Sequence, residues 1–327
     1  MGSMEPIRDY GWLAEDMRAF IAQTEAAFPP DAAQMDAAGQ RAFYDAMCRL
    51  FDRPYPPGVT ARDHALGGVP CRVYTPARCR DGVAVVYFHG GGFVVGGLES
   101  HDAICAELAE AAGVRLMAVD YRLSPEHRHP AAFDDACAVV RAVTGPKLLA
   151  GDSAGGNLAA AVAGHLPGAG IAGQVLIYPG LGGGLGLPSY TRHAHAPMLT
   201  REDVESYATI RFAEGHSGHD DPTAAPLAAG RFDHLPPTAI FTAECDPLAS
   251  DGVEYAARLA EAGVPVALTE EPGLVHGYLR ARHMAKGARD SFARIGAALR
   301  AMAEKTIAGS TVGGAAGNGA AGNGSAG

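Results

Sequence analysis

The chain has 327 residues, a formal net charge of −10 and a pI near 5.7. No basic run exceeds two or three residues and no apolar stretch approaches the ~20 residues of a spanning helix, which argues against nucleic acid, anionic lipid surfaces and membrane insertion. With 48% apolar and 19% charged residues it should fold, as two domains or as one large α/β domain with insertions. Glycine is the outlier, at 43 of 327 residues, or about 13% where ~7% is usual, and an account of the protein must say what that glycine is for.

Met1-Gly2-Ser3 reads as an added leader before a start at Met4, and the first residues lack the basic-then-apolar pattern of a secretion signal. The six cysteines (Cys48, Cys71, Cys79, Cys105, Cys137, Cys245) follow no paired or metal-type spacing, as expected of reduced thiols in a cytoplasmic protein. Residues 1–52 are expected to form a helical cap segment, with Trp12, Met17, Phe20, Ile21, Phe43, Met47 and Phe51 at apolar positions and a break at Pro29-Pro30. A strand follows at 71–74. Short Val/Ile/Leu-rich runs at 83–88, 115–119, 147–150, 174–178, 238–242 and 266–269 alternate with helix-length segments. That rhythm predicts an α/β fold with a mostly parallel sheet covered by helices on both faces, over residues 53–308. Residues 181–225, between two strands, have the length of a cap insertion and carry a predicted helix over 202–212. Residues 309–327, almost wholly Gly, Ala, Asn, Ser and Thr, are expected to be a flexible tail.

Gly151-Asp152-Ser153-Ala154-Gly155 matches G-x-S-x-G, in which small residues allow a sharp strand-to-helix turn that lifts the serine hydroxyl above a sheet edge. Upstream, His89-Gly90-Gly91-Gly92-Phe93 follows an apolar strand. Three successive glycines let backbone N–H groups converge on one point, as an oxyanion hole requires. A phosphate loop is the alternative, but neither G-K-[ST] nor G-x-G-x-x-G accompanies it. A serine nucleophile needs a base and an orienting acid. His276 is the histidine that sits just after a late strand and before a helix, and Asp246 follows the 238–242 run at a proline-broken loop. Asp251 and Glu244 are rivals for the acid; Asp251 is expected to cap the following helix, and Glu244 to remain in the strand end. The pairs His127/His129, His193/His195 and His216/His219 lack a third metal ligand at recognisable spacing and read as solvated loop histidines.

These motifs together resemble the bacterial hormone-sensitive-lipase-like (family IV) esterases of the α/β-hydrolase fold, over roughly residues 70–300. The resemblance rests on the glycine loop, the run from Val119 through Asp120-Tyr121-Arg122-Leu123-Ser124-Pro125-Glu126-His127 to Pro130, Gly151 to Asn157, Asp246-Pro247-Leu248 and His276-Gly277. It implies Ser153 as nucleophile, His276 as general base and acid, Asp246 as orienting acid, and the N–H groups of Gly91, Gly92 and Ala154 as the oxyanion hole. His89, Arg122 and Glu126 are implied to be scaffold. Tyr278 stands where the family often has phenylalanine, and the loop after Pro179 is unusually glycine-rich. The implied protein is a carboxylesterase acting on a small short-chain ester, with no cofactor or metal, able to form a homodimer at an exposed sheet edge. An amidase, lactonase or deacetylase would use the same triad, and a non-catalytic binding protein would share the fold.

Overall fold

The computed structural model describes residues 5–27 and 35–317, with side chains described to residue 309. The expected leader, the Pro29-Pro30 break and residues 318–327 lie outside the described residues.

Helices α1 (Glu15–Ala27) and α2 (Ala37–Arg49) precede strands β1 (Thr60–Leu66), β2 (Val69–Thr75) and β3 (Ala84–Phe88). Then α3 (Asp102–Ala112), β4 (Arg115–Val119), α4 (Ala131–Ala142), β5 (Lys147–Asp152), α5 (Ala154–His165) and β6 (Ile171–Ile177) alternate. The connection after β6 holds α6 (Pro188–Arg192) and α7 (Arg201–Arg211), and β7 (Thr238–Cys245), α8 (Ala249–Glu261), β8 (Val266–Val275) and α9 (Lys286–Gly317) complete the order. The eight strands form one sheet, β1-β2-β4-β3-β5-β6-β7-β8. The β1–β2 and β2–β4 pairs are antiparallel and the remainder parallel.

Because side chains alternate along a strand, a central parallel strand must be apolar on both faces. In β3, Val85 and Tyr87 enter the layer with Ile104 and Leu108 of α3 and Ile295 and Leu299 of α9. Val86 and Phe88 enter the opposite layer with Val139 of α4, Leu158 of α5 and Leu259 of α8. Fully burying each such aliphatic side chain is worth about 1.5–3 kcal/mol, which is why the sheet is a rigid platform for the loops at its edge. Met17, Phe20 and Ile21 of α1, Met47 of α2 and Phe51 join the first layer. Trp12 does not, and is exposed.

Three expectations need correction. β1 was not anticipated: its Thr-Ala-Arg-Asp-His-Ala-Leu sequence has no apolar alternation because this outer strand is exposed along most of its length, and only the Gly67-Gly68 hairpin turn marks it. β7 and β8 run past the expected ends, to Cys245 and Val275, with a register irregularity between Ala243 and Cys245. Finally, α9 continues to Gly317, eight residues beyond the start of the expected flexible tail. A helix nucleated by its packed part can propagate outward at little further cost.

Candidate active site

The strand β5 delivers Ser153 to the carboxyl edge of the sheet, where ligands bind in open α/β folds. Ser153 has φ 54° and ψ −116°, a sparsely populated conformation that costs on the order of 1–3 kcal/mol. Its surroundings enforce it. The Ser153 N–H donates to Ile177 O at 2.9 Å, and α5 begins at the next residue. A Cβ on Gly155 would fall 1.9 Å from Phe88 O, so the helix can pass β3 only without a side chain there.

Two loops complete the arrangement. His276 Nε2 lies 2.9 Å from Ser153 Oγ, and His276 Nδ1 lies 2.7 Å from Asp246 Oδ2. Asp246 is fully buried and its other oxygen accepts from Leu248 N at 2.8 Å, which fixes the carboxylate against the imidazole. Tyr178, at φ 34°, sets its ring at a tilt of 60° against His276 with 4.9 Å between centroids. The rival acids point elsewhere. Glu244 accepts from Gly273 N at 2.7 Å in an exposed position. Asp251 lies inside the first turn of α8 and does not cap it. Its Oδ2 reaches back to accept from Leu181 N at 2.7 Å and Gly183 N at 3.1 Å, because the carboxyl is drawn into a buried turn whose N–H groups have no other acceptor.

After β3 the chain turns through Gly91 at φ 121°, where a Cβ would meet Val95 O at 2.1 Å. Gly91, Gly92 and Ala154 line the same cavity as Ser153. Among the described residues their N–H groups donate to no acceptor, leaving them available to a ligand oxygen. The loop is held from below by Asp152, which accepts from Gly90 N at 3.0 Å and Tyr87 Oη at 2.7 Å and lies 3.3 Å from His101 Nε2. His101 in turn contacts Ser100 Oγ at 2.9 Å. Burial alone would raise the Asp152 pKa, but His101 and Tyr87 outweigh it and hold the carboxyl well below the usual range. His89 donates from Nδ1 to Gly90 O at 2.8 Å and stacks on Tyr121 at 4.2 Å. Burial, with His101 beside it, lowers its pKa to about 3, so it stays neutral and serves as scaffold.

Above these groups is a cavity of about 380 Å³, within the range of small-molecule sites. Its walls come from Tyr44 of α2 and from the 181–225 segment, including Tyr190, Leu199, Tyr207 and Arg211. The segment before α1 is tied to the 181–225 wall: Ile7 N donates to Arg192 O at 2.8 Å, and Tyr10 Oη meets His193 Nδ1 at 3.1 Å. His193 is therefore buried, and His129 is half-buried against Asp221 at 3.1 Å, whereas His127, His195, His216 and His219 are exposed. Among the described residues no group of three His, Cys, Asp or Glu side chains could hold a metal ion. Arg122 and Glu126 do act as struts, to Asp135 and Arg41 respectively, and Tyr278 is buried with its hydroxyl bonded by Ser291 Oγ at 2.8 Å. Sequence reading missed Tyr178, which sat inside an apparent strand run, and gave Asp152 no role although it lay within the quoted motif. Arg211 and Arg280, both at the cavity, carry no local sequence signal.

Comparison with known proteins places this geometry. Residues 85–280 match a family described as alpha/beta hydrolase fold. The esterase LipI of Mycobacterium tuberculosis is 39% identical over 265 residues, covering 74% of this chain and 81% of that protein. The ethyl acetate hydrolase of Pseudomonas putida is 33% identical, covering 88% of this chain and 98% of that protein. Among solved structures, the hyperthermophilic esterase of Pyrobaculum calidifontis superposes with a TM-score of 0.78 at 32% identity, over 89% of this chain and 99% of that one. The chain belongs to the hormone-sensitive-lipase-like esterases of the α/β-hydrolase superfamily. An esterase described as a member of the bacterial hormone-sensitive lipase family is similar too, with a TM-score of 0.78 and 27% identity over 90% of this chain and 99% of that one.

Proposed function

We propose that the protein is a serine carboxylesterase that hydrolyses short-chain acyl esters through an acyl-enzyme on Ser153. The observation that carries this reading is the continuous relay from Ser153 Oγ through His276 to buried Asp246, at 2.9 and 2.7 Å, beside three unengaged backbone N–H groups. His276 takes the Ser153 proton as Oγ attacks the ester carbonyl carbon. The carbonyl oxygen becomes an oxyanion held by the N–H groups of Gly91, Gly92 and Ala154, each worth about 2.7–4 kcal/mol in the transition state. His276 then gives its proton to the leaving alcohol as the C–O bond breaks. Water, deprotonated by the same imidazole, cleaves the acyl-enzyme and returns the acid and free Ser153. Asp246 holds the ring in the tautomer whose Nε2 can accept.

Short acyl chains are supported by the modest cavity and by relatives named ethyl acetate hydrolase and arylesterase. Residues 1–52, through Tyr44 of α2, and the 181–225 insertion serve as the cap over that cavity, and residues 53–308 as the catalytic domain. No described helix is long and apolar enough to cross a membrane, and six free cysteines support a cytoplasmic setting. A homodimer would form at β8, which among the described strands pairs with β7 alone; sedimentation tests it. For the chemistry, Ser153→Ala should lower turnover of 4-nitrophenyl butyrate by about 10⁴-fold or more while the fold persists. Wild-type turnover in that variant would remove Ser153 from the mechanism.

A further inference from the structure

The cavity holds a cation whose purpose the triad does not explain. Arg211, the last residue of α7, is buried with 8% of its surface exposed and lines the cavity that contains Ser153. Among the described residues no carboxylate lies within 4.0 Å of its guanidinium, although buried arginines are normally paired. It makes two hydrogen bonds, both long: Nη1 to Ala224 O at 3.3 Å and Nη2 to Asn157 Oδ1 at 3.4 Å. A guanidinium offers five N–H donors, and neutral acceptors at such distances compensate it poorly. Its plane lies over the Phe93 ring, 3.6 Å from the centroid, with Phe212 at 5.0 Å. The rings fix its position without neutralising it. Burial without a counter-ion pulls its pKa down to about 9, which leaves it charged at neutral pH.

The anions around it are already engaged. Asp221 accepts from Thr223 Oγ1 at 2.6 Å and from Thr223 N at 2.9 Å, and contacts His129 Nε2 at 3.1 Å. Glu205 pairs with Arg201 at 2.8 Å, Asp152 is taken up by the contacts described above, and Asp251 Oδ2 is held by the N–H groups of Leu181 and Gly183. A second guanidinium, Arg280, borders the same cavity, donating to Tyr44 Oη at 2.8 Å and likewise without a carboxylate within 4.0 Å among the described residues. The cavity therefore presents two guanidinium groups without a carboxylate partner among the described residues.

Resting on the esterase reading, we propose that Arg211 is a specificity-determining residue that binds a carboxylate carried by the acyl part of the substrate, so that half-esters of short dicarboxylic acids are preferred. The placement sets the chain length. Asn157, which Arg211 touches, lies four residues from Ser153 across the start of α5, about 6 Å of rise, and Asn157 N bonds Ser153 O at 3.1 Å. On that spacing, a succinyl or glutaryl spacer is the length we assign between an acyl carbon at Ser153 and an anion at Arg211, which line one cavity. The reaction stays a hydrolysis: the ester C–O bond breaks, water supplies hydroxyl and proton, and a free dicarboxylate and an alcohol leave.

Ethyl hydrogen glutarate and ethyl pentanoate differ by a carboxylate in place of a terminal methyl, and ethanol release measures both. Wild type should favour the glutarate ester in kcat/KM. Arg211→Met, which keeps an apolar contact to Phe93, should lower the glutarate-to-pentanoate ratio by about 10–100-fold, the worth of a charge-assisted hydrogen bond, chiefly through KM. Arg211→Lys should retain part of the preference. An unchanged ratio in Arg211→Met overturns the proposal, as does a wild type that favours pentanoate. Should the variants fail to fold, wild type alone decides: free glutarate must inhibit ethyl pentanoate hydrolysis competitively at lower concentration than pentanoate does, and equal or weaker inhibition overturns the proposal. A wild type inert toward both esters overturns the esterase reading and takes this inference with it, an outcome distinct from an active enzyme without anionic preference.

Discussion

At the sheet edge, a Cβ on Gly155 would sit 1.9 Å from a backbone oxygen of β3, while in the 181–225 segment that supplies much of the cavity wall Gly184 and Gly186 have nothing within 4 Å of where a Cβ would be. The two regions are built under different constraints. The edge is shaped by main chain passing main chain, so a few small residues at fixed spacing are forced and can be read as a motif. The wall is made by side chains from α2 and from residues 181–225, whose partners are distant in the chain and whose sequence is correspondingly free. Glycine serves both ends of this contrast. In the wall, Gly183 is needed because Asp251 Oδ1 would lie 2.2 Å from its Cβ, a requirement imposed by a residue nearly seventy positions away.

The largest effect that tests the contrast lies between Asp246 and Asp251, two buried acids at the start of the same helix. Asp246→Asn should lower kcat by about 10⁴-fold with little change in folding, because an amide beside Nδ1 favours the wrong imidazole tautomer. Asp251→Asn should keep activity to within about tenfold, since its amide oxygen can still accept from Leu181 and Gly183. Steady-state kinetics on a neutral ester compare them, and a larger loss in Asp251→Asn would reverse the assignment.

Asp152 is next. Asp152→Ala would leave Tyr87 Oη, Gly90 N and His101 without their acceptor. Stability should fall by about 3–5 kcal/mol, the usual cost of breaking a buried charged contact, and kcat should fall with it as the oxyanion loop loosens. Since its folded pKa is depressed, the stabilisation it supplies is full above the unfolded carboxylate value near 3.9 and is lost as pH falls through the lower folded value. Chemical denaturation at pH 7, followed by kinetics in the folded baseline, separates the two losses.

The sequence carried the sheet, the elbow, the glycine loop and the order of Ser153, Asp246 and His276, because each depends on local turn chemistry at the end of an apolar run. It did not carry β1, whose exposed side chains give no period, or the burial of His193, which depends on Tyr10 far upstream. It misplaced Asp251 as a helix cap because an aspartate early in a helix has that local use, and the competing turn at 181–183 is visible only in three dimensions. Arg211 was invisible for the same reason. Its significance lies in the absence of a carboxylate partner among the described residues, and no local pattern records that.

Asp251 also predicts a pH effect. Burial raises its pKa to about 7, against the pull of the Gly183, Leu181 and Tyr190 hydrogen bonds. The folded protein therefore binds a proton that the unfolded chain, with a carboxyl near 3.9, releases. That contribution is full below about pH 4 and is lost as pH rises toward 7. Asp251→Asn cannot ionise, so its stability relative to wild type should improve between pH 4.5 and pH 8 by an amount on the order of a few kcal/mol. Melting temperatures of both proteins across that range give the difference, and parallel curves would show that Asp251 does not titrate there.

The smallest effect concerns how the wall is fastened to the edge. Arg41 of α2 donates to Val94 O and Ser124 O, both at 2.8 Å, and pairs with Glu126 at 2.7 Å. Val94 N in turn donates to Gly91 O at 3.0 Å, so this one side chain links the cavity wall to the glycine loop after β3. The Glu126 partner is about half exposed, and a solvent-exposed ion pair contributes roughly 0–1 kcal/mol. The two carbonyl contacts are shielded and charge-assisted, at about 1.5–3 kcal/mol each before desolvation of the guanidinium is offset. Glu126→Ala should therefore cost less than about 1 kcal/mol and leave kinetics unchanged, while Arg41→Ala should cost more and raise KM for a neutral ester. If the two variants are equally mild, α2 rests on the edge through its apolar face alone, and the wall is coupled to the oxyanion loop by packing rather than by Arg41.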